Sequence, residues 1–141
     1  KQKYNKMINK AMKLLFRISL CISLVMLIIP DSFFPYILGE DMVNVSIPFK
    51  ILIFSSIMVY IGSLSYIWYL SEGYQNYIMY NTIYGLLFNI ILNLILIYYY
   101  GIIGAAVATL LAKILANYII HAFRKETREI FYIQTKSIFN L

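Results

Sequence analysis

Charge is scarce in this sequence, and the places it avoids are informative. Charged residues make up 13% of the 141, about half the share of an ordinary soluble domain. No Asp or Glu interrupts residues 13–30, 49–70, 77–97 or 101–123. The three prolines, Pro30, Pro35 and Pro48, stay at the margins of these runs. A single cysteine, Cys21, excludes an internal disulfide and a thiolate metal cluster. One histidine, His121, and acids confined to loops and tail leave no set of side chains spaced to hold a metal. There is no phosphate-binding glycine loop and no nucleophile–base pair at a recognisable spacing. Neither an enzyme nor a cofactor is expected.

What the sequence does contain is apolar length. Hydrophobic residues make up 62%, and runs of about 20 such residues are what a helix needs to cross a bilayer. The pattern predicts an all-α membrane protein with four transmembrane helices over about 13–30, 49–70, 77–97 and 101–123. Pro30-Asp31 closes the first, and Ser46 and Pro48 open the second. Between them "FFPYILGED" is apolar but short and is expected to lie in the interface. Residues 1–12 form a basic segment, and residues 124–141 read as a basic amphipathic helix lying in the same interface.

The net charge of +6 gathers at the two ends, as membrane topology demands rather than as nucleic acid would. Lys1, Lys3, Lys6, Lys10, Lys13 and Arg17 precede or open the first span, and Arg124, Lys125, Arg128 and Lys136 follow the last. The loop from Asp31 to Pro48 carries acids and no base. Four crossings then put both ends on the cytoplasmic side. The loop "SEGYQN" on that side carries no basic residue. Because the sequence opens on Lys1 rather than Met, it is expected to be a piece of a longer polypeptide.

Lys113 is the residue that this arrangement does not explain. It lies twelve residues from Gly101 and eleven from Arg124, about 16–18 Å from either end of its helix at 1.5 Å per residue. Arg17 and Lys50, near helix ends, can extend to the interface; Lys113 cannot. A charged group at that depth faces a bundle interior or an aqueous cavity. Its neighbours support this: Thr109, Lys113, Asn117 and His121 recur every four residues. His121, close to the end, reads as an interfacial residue. A second line of Gly104, Ala108, Ala112 and Ala116 provides a small-residue face for helix packing. The third span carries Asn81, Gly85, Asn89 and Asn93 at the same spacing.

The stretch "NIILNLILIYYYGIIGAAVATLLA" resembles the penultimate and last helices of polysaccharide and O-antigen flippases of the multidrug/oligosaccharide-lipid/polysaccharide exporter superfamily. The likeness rests on Asn89, Asn93, Tyr100, Gly101, Gly104, Ala105, Ala106, Ala108 and Thr109, together with "YILGED" and the basic tail. It departs from that pattern in lacking a proline before Tyr-Gly. The resemblance implies the last four helices of a two-bundle transporter, completed by the remaining N-terminal helices. Its cargo would be a lipid-linked oligosaccharide on a polyprenyl diphosphate, flipped by alternating access with a coupling ion. Lys113, Thr109, Asn117, Asn89, Asn93, Arg17 and Lys50 would line the substrate path, with membrane lipid taking the polyprenyl tail. Two other readings are a multidrug/cation antiporter of the same superfamily and a small four-helix scaffold subunit.

Overall fold

The computed structural model describes residues 2–39 and 45–139, and these are helical with no strand among them. Helix α1 (Gln2–Ile28) is followed by the short α2 (Phe33–Leu38), then α3 (Ser46–Ser71) and α4 (Gln75–Ile114). The chain continues without a gap into a π-helical turn (Leu115–Ile119) and α5 (Ile120–Phe123). After a 3₁₀ turn (Lys125–Thr127) it ends in α6 (Arg128–Phe139). Three helical stretches are long and apolar enough to cross a membrane: Lys3–Ile28, Ser46–Ser71 and Gln75–Phe123.

The basic first segment is not a separate element. Lys3, Lys6, Lys10 and Lys13 ride on α1 itself, which starts some eleven residues before the expected span. The long third stretch is broken once, at Gly101, with φ 56° and ψ −134°, a conformation that a side chain disfavours. Residues 75–100 and 102–123 fold back on one another from this point. A Cβ placed on Gly85 would lie 2.7 Å from that of Ala116, and one on Gly104 would run into the Leu96 carbonyl. The small side chains of the fourth span, with Gly104, Ala108 and Ala112 all buried, are therefore what lets the two arms touch.

α1 and α3 pack antiparallel. Ile8 and Met12 meet Trp68 and Tyr69, while further along Phe16 meets Ile57 and Ile61. Ile130 of α6 joins the first of these clusters. One end of the bundle thus holds the basic start of α1, the turn after α3 and the whole tail. The other end holds α2, where Phe34 packs edge-on against Phe49 at 5.2 Å, and the reversal at Gly101. The expected interfacial segment "FFPYILGED" is seen only in part, since Glu40 and Asp41 fall outside the described residues. Within α2, Phe34 is buried and Tyr36 is almost wholly exposed.

The tail helix packs its apolar face onto the bundle. Arg124 is extended (φ −110°, ψ 136°), which breaks the helix and turns α6 back onto the bundle. Ile130, Gln134 and Ser137 are then completely buried, each 0% exposed. Its inner face packs against α1, α3 and the π-turn.

A candidate polar groove

Two connected cavities run along the face where α3 and the two arms of the hairpin meet. The first, about 480 Å³, is lined on α3 by Gly62, Ser63 and Ser65, and across from it by Lys113, Asn117 and His121. The second, about 370 Å³, continues between the arms with Thr82, Asn89, Thr109, Lys113 and Asn117 on its walls. Thr82, Lys113, Ala116 and Asn117 belong to both. Thr109, Lys113, Asn117 and Asn89 therefore share one groove. Lys113 stands exposed within it and has no hydrogen-bond or ion-pair partner among the described residues.

Helical geometry accounts for the alignment. A four-residue step overshoots one α-helical turn of 3.6 residues, so a polar line at that spacing drifts around the helix. The wider π-turn at Leu115–Ile119 takes up an additional residue and offsets the drift. His121 consequently reaches the same cavity as Lys113 and Asn117. The sequence carried no sign of this turn.

Close backbone approach shapes the wall. A Cβ on Gly62 would collide with the Asn117 side chain, so the glycine leaves room for that amide in the rotamer it adopts between α3 and the last arm. Thr109 directs its hydroxyl to the Ala105 carbonyl at 2.9 Å, which satisfies its donor within the helix and leaves the oxygen as an acceptor.

Three of the residues expected on the path lie elsewhere. Asn93 donates to Asn89 Oδ1 at 3.0 Å along its own helix and lines neither cavity. Arg17, on α1, is exposed away from the groove. Lys50 pairs with Asp31 at 2.7 Å at the far end of the bundle. The hydrogen bond and positive charge of Lys50 hold the exposed Asp31 carboxyl below its usual value of 3.8.

His121 also corrects its expectation. It is 2% exposed, with its ring edge-on to Tyr69 at 5.5 Å. Its Nδ1 lies 3.0 Å from Gln134 Oε1. Gln134 Nε2 in turn donates to Ser65 Oγ at 2.5 Å and to the Asn117 carbonyl at 2.9 Å. With the amide oxygen accepting, Nδ1 carries the proton, and every polar atom of the Gln134 side chain is used. Thr127 fastens the same corner by donating to the His121 carbonyl at 2.9 Å. Sequence reasoning missed Ser65 and Gln134; the one available signal was that Gln134 and Ser137 follow Ile130 at helical spacing.

Arg124 closes that end of the hairpin over a tyrosine row. Its guanidinium carbon lies 4.7 Å from the ring centre of Tyr77, 5.7 Å from Tyr80 and 6.0 Å from Tyr84, within the range of cation–π attraction. Among the described residues no group of three or more His, Cys, Asp or Glu could hold a metal ion.

The site thus defines an all-helical chain, with three stretches able to cross a membrane and a polar groove bearing one lysine. No family model, curated protein or solved structure matches it.

Proposed function

We propose that this chain forms part of a membrane transporter that flips a polyprenyl-diphosphate-linked oligosaccharide, such as an O-antigen or capsule repeat unit, across the bacterial inner membrane. The observation that carries the reading is Lys113, mid-helix, beside Asn89, Thr109 and Asn117 in one groove. A diphosphate needs a cation and hydrogen-bond donors, sugars need amides and hydroxyls, and the polyprenyl chain can remain in lipid. Lys113 supplies the charge, and Asn89, Thr109 and Asn117 supply the polar contacts.

On this reading the break at Gly101 divides the third apolar stretch into two crossings, four in all, with both basic ends cytoplasmic. The groove is open along one side, so further helices of the transporter would close it and alternating access would expose it to each leaflet in turn. The resemblance of "YYYGIIGAAVAT" to exporter-superfamily flippases supports the same assignment. A cation antiporter of that superfamily would call for an acidic cavity, whereas no carboxylate lines the groove among the described residues.

The test is made in cells lacking the protein, by measuring the leaflet distribution of the lipid-linked oligosaccharide and the sensitivity to cationic drugs. The reading requires precursor to accumulate on the cytoplasmic leaflet with drug sensitivity unchanged. Drug hypersensitivity with normal precursor distribution would replace it with the antiporter.

A further inference from the structure

A second, smaller cleft lies far from Lys113, at the basic end of the bundle. It is about 300 Å³, formed between the start of α1 and the outer side of α6, and lined by Asn5, Lys6, Asn9, Tyr132, Ile133 and Lys136. Both lysines are exposed and have no hydrogen-bond or ion-pair partner among the described residues. One carboxylate stands nearby: Glu129 accepts a hydrogen bond from Asn5 Nδ2 at 2.5 Å. That contact fixes the Asn5 amide and leaves its oxygen without a donor. Asn5 Oδ1 and Asn9 Oδ1, one helical turn apart, are both buried acceptors lacking a partner. Unmet acceptors of this kind are rare in finished structures.

Depth identifies what can reach the cleft. Lys6 lies 22 residues from Ile28 at the far end of α1, about 33 Å along the axis at 1.5 Å per residue. With Ile28 taken at the far boundary of the crossing, that falls just beyond the roughly 30 Å hydrocarbon core, in the headgroup layer. Tyr132, 67% exposed, is the residue type that favours this layer. Two lysines at headgroup depth attract an anionic lipid. The amide oxygens add a condition, because an ionised phosphodiester carries no proton to donate to them, so the donors must lie elsewhere on the headgroup.

We propose that this cleft binds the headgroup of an anionic phospholipid bearing hydroxyls, of the phosphatidylglycerol type. Lys6 and Lys136 hold the phosphate, and the headgroup hydroxyls donate to Asn5 and Asn9. The bound lipid thereby ties α6 to α1 on the side facing away from the groove.

Native mass spectrometry of the protein, with phosphatidylglycerol, phosphatidic acid or phosphatidylcholine added to the micelles, tests the assignment. Phosphatidylglycerol should be retained best and phosphatidylcholine least. Each lysine contributes a factor of about five, so Lys6→Gln with Lys136→Gln should weaken phosphatidylglycerol retention roughly 25-fold. Lys125→Gln, an exposed basic site outside the cleft, should leave it unchanged. Because both cleft lysines are exposed, circular dichroism should show the double variant folded. Retention of phosphatidylglycerol no better than phosphatidylcholine would overturn the proposal. So would phosphatidic acid binding equally well, an equal loss in Lys125→Gln, or competition by soluble glycerol phosphate as effective as by the lipid.

Discussion

Gln134 Nε2 donates to Ser65 Oγ at 2.5 Å, joining residues 69 apart in the chain. One amide thereby ties the tail helix to α3, and through the Asn117 carbonyl and His121 Nδ1 to the last arm of the hairpin. The groove lies directly above this knot, with Ser65, Asn117 and His121 belonging to both. The tail is thus a structural floor of the groove.

Replacing Gln134 with Leu should strand the His121 Nδ1–H in a buried site and take away the donor to Ser65 Oγ. A stranded group of this kind costs about 1–3 kcal/mol, so the melting temperature in detergent should fall by several degrees. An unchanged melting temperature would mean that the knot contributes nothing.

The arms of the hairpin make a reciprocal prediction. Gly85→Ala places a methyl 2.7 Å from that of Ala116, and such overpacking costs about 1–3 kcal/mol. Ala116→Gly removes the obstructing atom, and the next nearest, the Ala112 carbonyl, is at 3.8 Å. The double variant should therefore recover most of the stability lost in the single one, a coupling measurable in a double-mutant cycle. Additive losses would show that the arms do not meet at this point.

Much of this was legible in advance. The four-residue spacing of Thr109, Lys113 and Asn117 placed them on one face, and the Tyr-Gly sequence marked the reversal at Gly101. The apolar pattern of the tail was legible too, but not its partner. A helix with Ile130 and Ile133 on one side can bury that side in lipid or in protein, and periodicity is the same in both cases. The decision rests on the extended Arg124, which aims α6 inward, and on Gln134, which finds its partners only across the fold. Lys50 is a similar case: its place near a helix end was readable, whereas its pairing with Asp31 depends on how α2 returns the chain.

The Lys50–Asp31 pair has a pH signature. Because Lys50 depresses the Asp31 pKa below 3.8, the contribution of the pair is fully present above the unfolded-state value. It is lost as pH falls through the lower folded-state value. An NMR titration of the Asp31 carboxyl should give a midpoint below 3.8, returning upward in Lys50→Met. A midpoint unmoved by that substitution would show that the ion pair does not form in solution.

The central claim is that the positive charge of Lys113 carries an anionic lipid-linked cargo through the groove. Its most direct measure is surface glycan per membrane-inserted copy, in cells where the protein is replaced by its Lys113 variants. Lys113→Arg keeps the charge and should retain most activity. Lys113→Glu turns attraction into repulsion and should lower surface glycan by roughly tenfold or more, equivalent to about 1.4 kcal/mol, with precursor accumulating on the cytoplasmic leaflet. Wild-type surface glycan from Lys113→Glu at an equal membrane level would contradict the account.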